Sequence, residues 1–129
     1  MKEVELLIPL VLSGKVVHGK GLGRTVGMPT ANLQIEEEKL PPSGVYATRI
    51  EIGGKKYNSV TNVGKRPSVD EDQQVTVETY IFDYNEDIYG ETVALELYKF
   101  LRPVQKFQNL EEVHKQVEKD IEEAKKYLQ

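Results

Sequence analysis

Hydrophobic and polar residues alternate with a period of two along several short runs of this chain, and that period changes only near the C-terminus. From Val75 to Phe82, Val75, Val77, Thr79 and Ile81 fall on one face while Thr76, Glu78, Tyr80 and Phe82 fall on the other. This is the pattern of a strand with one face buried. Thr92 to Phe100 repeats it through Val93, Leu95 and Leu97, and Leu10 to Val17 forms a further run. Gly44 to Ile52 and Lys55 to Asn62 make a pair joined at Gly53-Gly54, a dipeptide that readily supplies the positive φ of a tight hairpin.

From Asn109 the apolar positions recur every three or four residues, at Leu110, Val113, Val117, Ile121, Ala124 and Leu128, which places them on one helical stripe. Asn109 is suited to cap that helix. Glu111 and Glu112 in the first turn and Lys125 and Lys126 in the last complement its dipole. About three heptads is short for a coiled coil, so the stripe is expected to pack on the chain's own sheet. Short strands with turn signals and one terminal helix predict an all-β fold, an antiparallel barrel or a sandwich carrying that helix. Periodicity does not separate barrel from sandwich.

At 129 residues the chain fits one domain, able to bury roughly two thirds of its unfolded surface; no repeat or low-complexity linker divides it. There is no cysteine, so disulfides and thiolate metal sites are excluded, and a cytoplasmic setting is expected. The apolar stretch Leu6 to Leu12 contains Pro9 and falls far short of the ~20 residues of a bilayer span; it reads as a strand, and no membrane partner is expected. A net charge of −4 argues against nucleic acid as a partner, since phosphate contacts need clustered Lys and Arg. A single-strand-binding barrel would also need a basic groove with interleaved aromatics, which is missing. One local exception is the stretch from Lys15 to Arg24, which carries Lys15, His18, Lys20 and Arg24 without an acid and could draw a small anion.

Four segments carry candidate chemistry. In Gly19-Lys20-Gly21-Leu22-Gly23-Arg24-Thr25-Val26-Gly27 the glycines leave backbone amides open to an anion, as in a phosphate cradle. The segment is neither a Walker loop nor a dinucleotide fingerprint, and alone it reads first as a flexible surface loop. In Met28-Pro29-Thr30-Ala31-Asn32 an extended backbone would point Thr30 and Asn32 the same way, offering two oxygens to a hard cation; spacing alone favours a Pro-Thr turn. Glu78 shares a face with Tyr80 and Phe82. Partial desolvation there would suit a general base, although an outward charge on a sheet is the commoner case. Asp83 to Asp87 opens like a calcium loop, but Ile88 and Ala94 stand where glycine and a bidentate Glu are required, leaving a turn between strands. His18 and His114, the only histidines, are too isolated for a zinc cluster or a catalytic triad.

The order of these fragments is more specific than any one of them. Gly-x-Gly-x-Gly-Arg-x-x-Gly-x-Pro-Thr-Ala-Asn-Leu is followed by Pro-Ser-Gly-Val-Tyr-Ala, Asn-x-Gly-x-x-Pro, Val-Glu-Thr-Tyr-Ile-Phe-Asp and Phe-Leu-Arg-Pro. Together they closely resemble riboflavin kinases from about Gly14 through the terminal helix. The resemblance implies a six-stranded antiparallel Greek-key β-barrel with a C-terminal helix. It also implies transfer of the γ-phosphoryl of ATP to the ribityl 5'-hydroxyl of riboflavin, giving FMN and ADP, with Mg²⁺ as cofactor.

Carried over position by position, Thr30 and Asn32 resemble the Mg²⁺-nucleotide ligands, and Gly19, Lys20, Gly21, Gly23, Arg24 and Gly27 the flap over the phosphates. Glu78 matches the general base, Asn62 a nucleotide contact and Arg102 a flavin contact. Residues 1–13 are then a lead-in strand, 14–108 the barrel and 109–128 the helix. Bacterial relatives often carry an adenylyltransferase domain with a His-x-x-His-type motif that this sequence does not contain, so kinase activity without FAD synthesis is expected. A natural stand-alone enzyme and a domain from a longer protein fit equally, and a monomer is the default at this size. Pro67-Ser68 departs from the more common Pro-Thr. The alternative to an enzyme is a non-catalytic flavin- or nucleotide-binding barrel.

Overall fold

A computed structural model describes residues 9–17, 30–66, 74–84 and 86–128. Six antiparallel strands, β1 (Leu10–Val17), β2 (Thr30–Gln34), β3 (Gly44–Ile52), β4 (Lys55–Arg66), β5 (Gln74–Ile81) and β6 (Thr92–Arg102), close into a barrel in the order β1-β2-β5-β4-β3-β6. Three consecutive strands, β3, β4 and β5, neighbour one another and β6 returns beside β3, which is a Greek key. Closure settles the choice that periodicity leaves open. β1 pairs with both β2 and β6, so each of the six described strands has a neighbour on both sides.

The alternation read from the sequence is the wall of this barrel. Its inward residues include Leu12, Tyr46, Ile50, Val77, Leu95 and Leu97, all buried. Gly53 and Gly54 have φ of 56° and 85° and turn β3 into β4 as a two-residue hairpin with both residues left-handed. Three differences from the sequence-based boundaries have local causes. β1 joins the wall from Leu10, where Leu10 and Leu12 pair with Leu97 and Leu95, so the barrel begins before Gly14. β4 runs on to Arg66 because residues 62–66 keep pairing with β5. Thr30–Gln34 is a strand rather than a turn, because both its edges are taken, by β1 and β5.

The interior also holds a ladder of hydroxyls. Thr48 bonds Ser59 at 2.7 Å and Thr61 at 2.9 Å, and Thr61 bonds Thr79 at 2.9 Å. These four side chains are fully buried, yet among the described residues no buried side-chain polar atom lacks a partner, as buried polar groups require.

The helix α1 (Leu110–Tyr127) lies on the outside of the barrel. Asn109 caps it, its side chain accepting from the Glu112 amide at 2.9 Å, and the Glu112 carboxylate accepts in return from the Gln108 amide at 3.0 Å. Its apolar stripe packs through Ile121, Ala124 and Leu128 against the outward Val45, Ala47, Val60, Tyr80 and Phe82. Arg49 ties down its far end, donating to the Leu128 carbonyl at 2.8 Å. Among the described residues no helix is long and apolar enough to cross a membrane.

Candidate functional site

Register decides which polar residues meet. On β5, Val77 and Thr79 point into the core, so Glu78 between them faces outward, and it is half-buried. Its direct partner on β2 is Asn32 and its direct partner on β4 is Asn62. On each of those strands the flanking residues Leu33, Thr61 and Val63 are buried, so both carboxamides share the outer face with Glu78. Directly paired side chains have Cβ atoms about 4.5–5.5 Å apart, which sets the acid between two neutral carboxamides.

Thr30 pairs with Tyr80, two residues from Asn32 and from Glu78 respectively. Thr30, Asn32, Glu78 and Tyr80 therefore form a two-by-two block on the outer wall, with Thr30 diagonal to Glu78 at about 7–8 Å between α-carbons. The aromatic neighbours anticipated for Glu78 are present. Tyr80 lies 5.8 Å from Phe82 between ring centroids, and Phe82 is buried under α1 with the Lys125 ammonium 5.5 Å from its ring. Helix and strand together make a partly dry flank on that side of the block.

The same row continues from Asn62 through Val45 to Arg102. Arg102 is engaged within the protein. Its Nε and Nη2 donate to the two carboxylate oxygens of Asp120, each at 2.8 Å, and its Nη1 donates to the Pro103 carbonyl at 3.0 Å. Phe107 lies 5.9 Å from the guanidinium. Asp120 is 4% exposed and accepts a third bond from Gln116 at 3.1 Å. Arg102 thus clamps α1 to β6, three strands from Glu78. Sequence reading passed over Asp120, although a signal existed: an acid three residues after Val117 and just before Ile121 interrupts the helix's apolar stripe.

Gly19, Lys20, Gly21, Gly23, Arg24, Gly27 and His18 lie outside the described residues. The chain leaves β5 through a turn at Phe82 and Asp83. Asp83 takes a left-handed φ of 55°, and Asp87 accepts from the Tyr89 amide at 2.9 Å. His114 stands exposed on α1, 3.8 Å from Glu118.

A divalent cation would find only hard oxygen donors in the block, among them the Thr30 hydroxyl and the Asn32 carboxamide oxygen beside the Glu78 carboxylate. Among the described residues no three His, Cys, Asp or Glu side chains gather to hold a metal. The donor set fits Mg²⁺, which takes one or two protein oxygens and fills the rest of its shell with water and phosphate.

Comparison with known proteins bears on the chain as a whole. A family model described as Flavokinase: Riboflavin kinase matches residues 6–128. The bifunctional riboflavin kinase/FMN adenylyltransferase of Bacillus subtilis is 40% identical over 123 residues, covering 93% of this chain and 39% of that protein. The chain thus spans about two fifths of the length of the curated relatives it matches. A solved structure described as a macrolide-efflux protein from Streptococcus pneumoniae superposes with a TM-score of 0.83 at 38% identity, over 91% of this chain and 38% of that one. The riboflavin kinase of Trypanosoma brucei shares the fold, with a TM-score of 0.67 at 24% identity over 96% of this chain and 82% of its own.

Proposed function

Since the chain belongs to the flavokinase family, the riboflavin kinases, we propose that it transfers the γ-phosphoryl of ATP to the ribityl 5'-hydroxyl of riboflavin, giving FMN and ADP. The observation that carries this reading is the block of Thr30, Asn32 and Glu78 on one outer face, in register across β2 and β5. A general base must come within about 2.6–3.2 Å, heavy atom to heavy atom, of the hydroxyl it deprotonates; a carboxylate one strand away from the two proposed cation-binding oxygens supports this reading, because an alcohol attacking a phosphoryl group held there would come beside it.

In the step proposed, the ribityl oxygen forms a bond to the γ-phosphorus, the bond to the β,γ-bridging oxygen breaks, and the hydroxyl proton passes to the Glu78 carboxylate. Thr30 and Asn32 would hold Mg²⁺ with their side-chain oxygens. When bound, Mg²⁺ supplies positive charge against the equatorial oxygens of the transferring group. The segment from Gly19 to Gly27 leads in sequence directly to Thr30, and its backbone amides are assigned to the nucleotide phosphates. Arg102 serves by fixing α1 beside the row, with three of its five N–H donors already engaged within the protein.

Chromatography of an incubation with riboflavin, ATP and MgCl₂ tests the reading. A new FMN peak is expected. Riboflavin binding without FMN would replace the kinase by a non-catalytic flavin-binding barrel, and FAD in the same incubation would reveal an adenylyltransferase step that this reading does not include.

A further inference from the structure

The hydroxyls inside the barrel stand directly behind the row that carries Glu78. Thr61 pairs with Thr79, and the next pair along the same two strands is Asn62 with Glu78. One residue therefore separates a buried hydroxyl contact from the outward acid and carboxamide. Thr61 Oγ1 lies 2.9 Å from Thr79 Oγ1, and Thr48 Oγ1 lies 2.9 Å from Thr61 Oγ1 and 2.7 Å from Ser59 Oγ. The ladder ties β5 to β4 and β4 to β3 on the side of the wall away from the site.

Of these two strand pairs, β4 with β5 has the greater need of such a tie. β3 and β4 are joined by Gly53 and Gly54, and a tight turn fixes the register of the strands it joins. β4 and β5 are separated by residues 67–73, too many to act in that way. Apolar burial does not choose the register either. Sliding β5 by two residues keeps every side chain on its own face and, in one direction, sets Thr79 opposite Val63 and Glu78 opposite Gly64. Glu78 would then stand about 7 Å from its place beside Asn32 and Asn62. With valine at position 79 the inner face would accept that pairing. With threonine, the slide strips a fully buried hydroxyl of its partner, and an unsatisfied buried group is costly. Sliding the other way sets the acid against Val60, which is buried under α1, and burial by itself opposes that.

We infer that Thr61 and Thr79 are positioning residues for the transfer: their hydroxyl contact locks β5 against β4 and so holds Glu78 level with Asn32 and Asn62. Both point into the core and act through Glu78. The inference rests on the kinase reading above and extends it to residues on the opposite face of the wall. A misplacement of about 1 Å can cost about 10²-fold in rate, so a lock against sliding bears on kcat more than on binding.

Steady-state kinetics, riboflavin titration and urea melts test this on the wild type, Thr79→Val, Thr79→Ser and a combined variant carrying Thr48→Val, Ser59→Ala, Thr61→Val and Thr79→Val. Thr79→Val keeps the shape of the side chain and loses its hydroxyl, while Thr61 keeps its bond to Thr48. It should lower kcat about 10- to 100-fold while the riboflavin dissociation constant stays within about twofold. Thr79→Ser retains the hydroxyl and should keep kcat close to wild type. The combined variant strands no hydroxyl, so its stability should return toward wild type while kcat stays low, a split that a purely structural role does not produce.

Wild-type kcat in Thr79→Val, an equal loss in Thr79→Ser, or recovery of kcat together with stability in the combined variant would each overturn the assignment. Failure of both apolar variants to fold would overturn it too, by making the ladder a requirement of the fold rather than of the reaction. If the wild type itself makes no FMN, the kinase reading falls and this inference with it. Normal wild-type turnover with any of the overturning results removes the inference alone.

Discussion

Removing the Asp120 carboxylate should destabilise the protein by a measurable and bounded amount. Asp120→Ala deletes the acceptor of two 2.8 Å bonds from Arg102, a pair whose side chains are 17% and 5% exposed for Arg102 and Asp120. Removing one partner of a buried ion pair costs about 3–5 kcal/mol, because the other charge stays buried without compensation. The Pro103 carbonyl still accepts from Arg102 Nη1, and the guanidinium is not wholly covered, so the lower end applies, about 3 kcal/mol. For a domain with a total stability of about 5–15 kcal/mol that is a large fraction. At roughly 4 °C per kcal/mol it lowers Tm by about 12 °C.

Replacing both partners by apolar residues, Arg102→Met with Asp120→Leu, should recover most of the loss, since no charge is then stranded. Urea denaturation followed by far-UV circular dichroism reads all three variants and the wild type. The reasoning fails if Asp120→Ala costs less than about 1 kcal/mol and the double variant is simply additive. The pair would then be a solvated contact, and α1 would be held by its apolar stripe alone.

Three further outcomes follow from the same geometry. Glu78→Gln keeps the shape of a half-buried side chain set between two carboxamides, so FMN formation should fall about 10²–10⁴-fold with riboflavin affinity retained; a loss under tenfold, read by chromatography, would remove Glu78 as the base. Thr61→Val breaks two bonds of the interior ladder at once and should cost about 1–3 kcal/mol in urea melts, whereas apolar replacement of Thr48, Ser59, Thr61 and Thr79 together should cost less than the separate effects summed. Burial raises the Tyr46 phenol to about 12 from the usual value near 10. The folded state holds its proton after the unfolded chain has lost it, so the contribution is complete below pH 10 and fades as pH rises toward 12. Urea midpoints should drop more steeply over that interval for the wild type than for Tyr46→Phe, and equal slopes would refute the assignment.

Much of the architecture was legible in the residue order. β1 and β3 occupy runs read as strands, the Gly53-Gly54 turn is where a hairpin dipeptide stood, and α1 starts at the cap that Asn109 offered. These features are local. A strand's period, a turn's φ and a helix cap depend on a few neighbouring residues, so they survive without knowledge of the rest of the chain. The ordered motifs added the family, and with it a list of residues for the site. They did so without geometry: Pro29-Thr30-Ala31-Asn32 reads on spacing as a turn, and Glu78 as an ordinary surface acid.

Only the closed barrel could decide how those residues stand to one another. Asn32, Glu78 and Asn62 lie on three strands far apart in sequence, and they share one row because β5 slots between β2 and β4. Such a pairing is long-range, and a slip of one residue would have turned Glu78 into the core. The partner of Arg102 was hidden for the same reason, since Asp120 meets it only once α1 lies on the wall. Periodicity assigns a residue to a face; which faces and registers come together is settled by packing the whole chain, and the chemistry of the site depends on that second step.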